Sequence, residues 1–270
     1  MIIGITGGKG GTGKSSIAVA LAKALSDYGR VLLVDCDVDC PNDHIMLGLD
    51  RKLLTEVKRR TPKINSDCKM CAKCGEVCKY NAIIAIQGKH PRLYSEQCNG
   101  CGACYHVCPH DAIEWEETTA GYIYTAKGKP ELLAGELKEN EKYSEIVVEH
   151  LKRQITSDYD YVIVDTAAGT HCDVISALEI CDFALLVTEA NPLGNHDLGL
   201  IKQLMGIMNK KYKIVLNKFD GNDIEEDAIL KLPYSRDFAE KYADGQIQIF
   251  PEIKALAGRI KDEGNILVRN

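Results

Sequence analysis

The stretch "GKGGTGKSS", from Gly8 to Ser16, fits the pattern G-x-x-x-x-G-K-S/T. The apolar run "IIGIT" before it predicts a buried strand, and "SSIAVALAKALSDYG" after it has apolar residues at helical spacing. A glycine-rich loop in this position lets backbone N–H groups surround phosphates at the positive end of a helix. We expect Lys14 to reach the β- and γ-phosphates and the Ser15 hydroxyl to bind Mg²⁺. The stretch therefore predicts an ATP-binding α/β domain.

The composition is that of a globular protein with no extreme bias. The chain has 270 residues, of which 45% are hydrophobic and 27% charged, and its formal net charge is −6. The basic residues form no stripe, so we expect no nucleic-acid partner. Apolar runs such as "FALLV" are too short to span a bilayer, and no leader pattern precedes the first strand, so we expect a cytoplasmic protein without a membrane partner.

Further apolar runs alternate with helical stretches along the chain. They include "RVLLVDCDVDCPN", "YVIVDTAAG", "FALLVTEANPLGNHDL" and "YKIVLNKFD". This alternation predicts a parallel sheet with helices on both faces.

The loop also contains an early lysine, Lys9, and "KGGTGKS" resembles the deviant Walker A motif of the MinD/ParA/Mrp superfamily. That resemblance implies a SIMIBI-like parallel-sheet P-loop NTPase that hydrolyses ATP with Mg²⁺. It also implies that Lys9 reaches the partner's nucleotide across a dimer that sandwiches ATP. The dimer would be a homodimer or a heterodimer with a similar ATPase.

The same resemblance assigns roles elsewhere in the chain. Asp37, in a segment similar to switch I, would orient the attacking water, and Asp165 would be a Walker B ligand for Mg²⁺. Asn217 would read the base and Pro233 would close its pocket. Ala167 and Ala168 stand where family members usually carry a Pro-Pro pair. The expected catalytic residues are Lys9, Lys14 and Asp37, the Mg²⁺ ligands are Ser15, Asp37 and Asp165, and the nucleotide contacts are Gly8, Lys9, Gly10, Gly11, Thr12, Gly13, Lys14, Ser15, Ser16, Asn217 and Pro233.

Eight of the twelve cysteines form two quartets with the spacing C-x2-C-x2-C-x3-C, "CKMCAKCGEVC" and "CNGCGACYHVC". This spacing is typical of bacterial ferredoxins with two 4Fe–4S clusters, in which the fourth cysteine of each run binds the other cluster. The expected ligand sets are Cys68, Cys71, Cys74 and Cys108 for the first cluster, and Cys78, Cys98, Cys101 and Cys104 for the second. Zinc is the alternative, but zinc sites more often pair C-x2-C units across a longer loop.

The quartets and the repeated patterns "YNAIIAI" and "HDAIEWEE" predict an inserted ferredoxin domain at residues 61–117, between ATPase segments 1–60 and 118–270. The whole arrangement resembles MinD-superfamily ATPases that contain such an insert. It implies a dimeric ATP switch that assembles or transfers iron–sulfur clusters, with a metalloprotein target and a redox donor as partners. The alternatives are an ATP-gated reductase with the logic of the nitrogenase iron protein and a MinD/ParA-type positioning ATPase.

Several remaining residues carry weaker expectations. We expect Cys36, Cys40 and Cys181 to be small core residues, because they lie beside apolar strands. Cys172 is expected to be buried or to accept metal transiently, with a cluster shared between subunits as the alternative. We expect His106 and His110 to be exposed near the second cluster, and the stripe of Ile253, Leu256 and Ile260 to pack on its own domain.

Overall fold

The computed structural model describes residues 1–219, 221, 227–235 and 249–267. Its strands are β1 (Ile2–Thr6), β2 (Val31–Cys36), β3 (Lys52–Ile64), β4 (Ile83–Ile84), β5 (Arg92–Leu93), β6 (Ile113–Ala126), β7 (Glu131–Leu137), β8 (Tyr161–Thr166), β9 (Phe183–Thr188), β10 (Tyr212–Phe219) and β11 (Ala228–Pro233). Its helices are α1 (Lys14–Leu25), α2 (Asp43–Leu47), α3 (Lys73–Glu76), α4 (Ala103–Val107), α5 (Ser144–Gln154), α6 (Cys172–Glu179), α7 (Pro192–Ile207) and α8 (Pro251–Leu267), with a 3-10 turn at Ser95–Gln97.

Nine strands form one sheet in the order β11-β10-β9-β1-β8-β2-β7-β6-β3. The seven strands from β11 to β7 are parallel, which confirms the predicted parallel sheet. Its central strands are rich in Val, Ile and Leu and are buried along their length, as strands covered on both faces must be. The loops after these strands therefore gather at one edge of the sheet.

Two apolar cores cover the two faces of the sheet. On one face α1 and α8 pack over the strands, and Ile253, Leu256 and Ile260 are buried there. The predicted packing of this C-terminal stripe on its own domain is confirmed. On the other face α5, α6 and α7 contribute the second core. No helix in the described part of the chain is both long and apolar enough to cross a membrane.

The sheet edge at β3 and β6 differs from the rest. These strands have 13 and 14 residues, and β6 runs antiparallel to both β3 and β7. They form a long ribbon whose far end carries residues 65–112, which we call the cysteine module. The domain boundaries expected at residues 61 and 117 fall within β3 and β6, so the ribbon belongs to both regions.

Candidate nucleotide site and cysteine module

The glycine loop leads from β1 directly into α1. Gly13 has a φ of +92°, which places it in the left-handed region just before the helix begins at Lys14. A Cβ atom at Gly13 would lie 2.3 Å from Asn217 Nδ2, whereas a Cβ at Gly10 would meet nothing within 4 Å. Glycine is therefore required at position 13 by both backbone conformation and space.

Three side chains hold the loop in shape. Asn217 Nδ2 donates to the Thr12 carbonyl at 2.7 Å, and Lys218 Nζ donates to the Gly11 carbonyl at 2.8 Å. Lys14 Nζ donates to the Lys9 carbonyl at 3.1 Å. Asn217 thus supports the loop from β10, a contact that the expectation of a base-reading amide did not include.

The charged groups of the site are desolvated. Burial lowers the pKa of Lys14, while the nearby carboxylates of Asp165 and Asp37 oppose that shift. Burial likewise raises the pKa of Asp37, and Lys14 opposes the rise. The structure thus brings Lys14, Asp37 and Asp165 into one electrostatic environment. Lys9 is half-buried. Although burial opposes the shift, Lys218 lowers the pKa of Glu189, and the charge of Lys9 adds to that lowering.

Three buried carboxylates, Asp35, Asp43 and Asp165, meet behind the loop, with one oxygen of each within 4.8 Å of the others. Burial raises the pKa of Asp165 to about 7. The Ser15 hydroxyl is near enough to oppose that rise but completes no hydrogen bond with either Asp165 oxygen. Burial, reinforced by mutual repulsion, also raises the pKa values of Asp35 and Asp43.

Asp43 is a residue of this site that the sequence did not predict. Its backbone N–H donates to Asp35 Oδ2 at 3.2 Å, and no described group is hydrogen-bonded to its own carboxylate oxygens. The available signal was an aspartate in the first turn of a helix that closely follows an acidic strand end. The Asp37 N–H also donates to Asp35, at Oδ1 and 3.2 Å. The Asp35 carboxylate at the end of β2 therefore accepts hydrogen bonds both from the turn that follows and from the start of α2.

An open cavity of about 230 Å³ lies beside the loop. Gly13 and Ser16 line one side, and Asn217 and Pro233 line another. Ile253 of α8 also contributes to its wall. The structure therefore brings Asn217 and Pro233, which are far from the loop in sequence, to the place where a base would lie if phosphates occupied the loop.

The eight clustered cysteines line two separate small cavities of about 20 Å³ each. The first cavity is lined by Cys68, Cys71, Cys74 and Cys108, and the second by Cys78, Cys98, Cys101 and Cys104. Each cavity thus takes three cysteines from one run and the fourth from the other. Burial raises the pKa of Cys104 to about 11.

A nearly buried ion pair joins the module to the ATPase region. Arg59 Nε lies 2.7 Å from Glu141 Oε2, and these side chains are only 8% and 6% exposed. The same guanidinium donates to the carbonyls of Cys98 at 2.8 Å and Ser95 at 2.9 Å. Tyr143, whose ring lies near Arg59, donates its hydroxyl to the Gln97 carbonyl at 2.8 Å.

Some expectations about the remaining residues are wrong. Cys36 and Cys181 are buried as predicted, but Cys40 is exposed because the chain has already turned away from β2. Cys172 is exposed at the start of α6, so its expected burial is wrong. His106 and His110 are exposed as predicted, yet His110 lines the first cysteine cavity instead of the second, since Cys108 crosses to the first.

Comparison with known proteins agrees with this architecture. The family described as "CobQ/CobB/MinD/ParA nucleotide binding domain" matches residues 3–249. Two uncharacterized proteins of Methanocaldococcus jannaschii, MJ0579 and MJ0578, are each 34% identical to this chain, over 249 and 272 residues. The first alignment covers 91% of this chain and 90% of its relative, and the second covers 97% of both.

Among solved structures, the septum site-determining protein MinD of Pyrococcus horikoshii OT3, complexed with Mg-ADP, shares the fold. The alignment covers 98% of each chain with a TM-score of 0.60 and 17% identity. At that identity the likeness concerns the fold alone. Because the family match extends over most of the chain, this protein belongs to the CobQ/CobB/MinD/ParA family of P-loop ATPases.

Proposed function

We propose that this protein is a dimeric ATP-driven switch coupled to two 4Fe–4S clusters, and that it acts in the assembly or transfer of iron–sulfur or metal cofactors to a target protein. The observation that carries the proposal is the convergence of the two cysteine runs on two cavities, with the fourth cysteine of each run exchanged. That exchange is the ligand pattern of two-cluster ferredoxins.

The chemistry of the cavities supports such groups. Each offers four soft thiol ligands, and the small core between the cavities includes Ile83, Cys104 and Ile113. When bound, a 4Fe–4S cluster accepts or donates single electrons. The same four-cysteine lining in each of the two cavities also argues for two similar groups. Zinc is the competing occupant, since four thiolates bind it as well.

In the nucleotide site, we propose that Lys14 and the backbone of the glycine loop bind the phosphates of ATP. Ser15, Asp37 and Asp165 would hold Mg²⁺, which fits the unpartnered oxygens of Asp165. Asp37 would also orient the attacking water, because a half-buried carboxylate with a raised pKa can accept a proton there. Lys9 would reach the partner's nucleotide.

A chain of contacts supports coupling between the two regions. Arg59 and Tyr143 hold the loop at residues 95–98, which leads into the second cavity. The next residue, Ser144, donates to Asp173 Oδ2 at 3.2 Å. Asp173 follows the segment at residues 161–169, whose end would be switch II by the family resemblance, and it lies near enough to Asp37 to add to the rise in the pKa of that carboxyl, which is due mainly to burial. A movement of switch II could therefore shift the wall of the second cavity.

The dimer is also a proposal. A homodimer is the simpler form, with ATP between two copies of this chain. A heterodimer with a similar ATPase gains support from the two relatives in one organism, which are equally identical to this chain.

Two other functions compete with the main proposal. An ATP-gated reductase would use the same clusters to send low-potential electrons to an acceptor, so it would cycle electrons while its iron content stays constant. A cluster carrier would instead lose iron to an apo-acceptor. Membership of the CobQ/CobB/MinD/ParA family is also consistent with a positioning ATPase. Nucleotide-dependent binding to liposomes or DNA would support that function.

The direct experiment is anaerobic purification followed by quantification of iron, sulfide and zinc. The proposal expects about eight irons per chain, in two cubanes. Stoichiometric zinc, or no metal, would contradict it. The exchange of the fourth cysteine can be tested in a Cys68→Ser/Cys71→Ser/Cys74→Ser background, which should retain about four irons.

In that background, Cys78 and Cys108 are the two candidates for the fourth ligand of the remaining cluster, and their substitutions have opposite expected outcomes. Adding Cys108→Ser should leave the iron content at about four, because that ligand serves the lost cluster, whereas adding Cys78→Ser should remove the remaining iron. The reverse result would mean that each run binds its own cluster.

A further inference from the structure

The far end of the cysteine module combines exposed cations with exposed apolar side chains. Met70, Ile84 and Ile86 are 37%, 51% and 58% exposed. Lys69, Lys73, Lys89 and Arg92 are all exposed around them. We call these seven residues the basic tip.

The fold of the module brings these residues together. The Gly88 N–H donates to the Met70 carbonyl at 2.9 Å, which joins the first cysteine loop to the turn that carries Lys89. Arg92 is paired with Ile84 across the β4–β5 ladder, so their side chains share a face. The tip is therefore assembled from two loops and a hairpin.

The charge of the tip contrasts with the rest of the protein. The whole chain carries a net charge of −6. Within the described residues, none of the four tip cations forms an ion pair, although Asp67 and Glu76 are close in sequence. Unpaired cations around an apolar centre match the arrangement of a docking surface for a partner of opposite charge.

The location of the tip indicates the chemistry of that partner. Lys69 and Lys73 line the first cysteine cavity, whereas the second cavity adjoins the Arg59 contact with the ATPase region. A protein bound at the tip would thus sit beside the first quartet. We propose that the basic tip docks an acidic electron-carrier protein, an inference that rests on the proposed function. Cys68, Cys71, Cys74 and Cys108 would hold the 4Fe–4S cluster that would take up the single electron given by the carrier's reduced redox centre.

The test measures binding, with a small acidic two-cluster ferredoxin as the probe. Titration calorimetry of the anaerobic full-length protein should show binding that weakens at least tenfold between about 50 and 300 mM NaCl. The variant Lys89→Glu/Arg92→Glu should weaken binding at low salt by about tenfold or more. These residues are outside the cysteine sets, so iron content and ATP turnover should stay unchanged.

The matched control is Lys52→Glu/Lys127→Glu, two exposed lysines at the opposite end of the ribbon. That end is about 40 Å away along the 13-residue strand β3. The control variant should bind the ferredoxin within about twofold of the wild type.

Absence of binding, salt-independent binding, or equal losses in the two variants would overturn the docking proposal. Heparin serves as a second probe. If it binds the tip as tightly as the ferredoxin does, the surface attracts polyanions in general and the proposal is wrong. None of these results alters the expected eight irons, so failure of docking and absence of clusters are separate outcomes.

Discussion

The nucleotide loop and the cysteine module both use left-handed backbone, but their surroundings differ greatly. The loop is supported by the nine-stranded sheet and by side chains of β10. The module has only a small apolar cluster in the described structure, in which Ile83 and Cys104 are buried together with Ile113 of β6. The loop can therefore form before its ligand binds, whereas the module needs an additional source of stability.

The two halves of the module sharpen this contrast. Met70 and Ala72 in the first cysteine run have φ values of +54° and +65°, and the equivalent positions in the second run are Gly100 and Gly102, at +76° and +80°. A residue with a Cβ atom is disfavoured by roughly 1 kcal/mol in this region. The repeats thus share one backbone, which the first run adopts at a greater conformational cost. This cost is consistent with metal ligands fixing the fold.

The largest expected effect is that of metal removal. Chelation of the anaerobic protein should unfold residues 65–112, because the thiols would lose the bonds that hold the module together. Hydrogen exchange there should accelerate by about a thousandfold, while β1, β8 and α1 keep their protection. Equal loss of protection in both regions would show that the two parts fold as one unit.

The Arg59–Glu141 pair should have the next largest effect. Arg59→Met leaves a buried carboxylate without its partner and should cost about 3 kcal/mol of unfolding free energy. The control is Arg30→Met, which breaks an ion pair with Glu131 whose side chains are 60% and 40% exposed. That change should cost less than about 1 kcal/mol. If urea denaturation showed similar losses of unfolding free energy in the two variants, the buried ion pair would contribute little more to stability than the exposed one.

Gly13→Ala tests the loop itself. The added methyl group would displace Asn217 and force a left-handed backbone on alanine, so we expect a loss of about 2 kcal/mol in stability or in ATP affinity. Gly10→Ala is the control for stability of the nucleotide-free protein, because nothing lies within 4 Å of its Cβ position there. Fluorescent-nucleotide binding and thermal unfolding measure both effects. An equally mild result for the two variants would refute the steric role of Gly13.

The smallest effect is expected within the repeat. Ala72→Gly should stabilise the metal-loaded module by about 0.5 kcal/mol, since it removes a strained Cβ at some entropic cost. Gly102→Ala should destabilise it by about 1 kcal/mol, because it introduces the same strain. Local hydrogen exchange can resolve both changes. If both variants changed the stability of the module in the same direction, the two cysteine runs would not have equivalent backbones.

Features that depend on residues close together in the sequence could be predicted, whereas contacts between residues far apart in the sequence could not. The glycine loop, the central strands and the cysteine spacing are local patterns, so the sequence indicated the parallel sheet and grouped the eight cysteines. The ribbon of β3 and β6 was not predicted, because only scattered positions such as Val57, Ala120 and Ile123 are buried and no regular apolar alternation marks the strands. Arg59 and Glu141 are 82 residues apart, and nothing local connects them. Asp43, in α2, was missed because the carboxylates that it meets, Asp35 and Asp165, lie on strands β2 and β8.

The central claim is that the nucleotide site and the cysteine module act on each other. Electron paramagnetic resonance of the anaerobic, dithionite-reduced protein, with and without Mg·ATP, tests it most directly. The account predicts cluster signals whose shape or midpoint potential changes when ATP binds, with no change in Lys14→Ala and a weaker one in Arg59→Met. Cluster signals that are identical with and without nucleotide in the wild-type protein would contradict it.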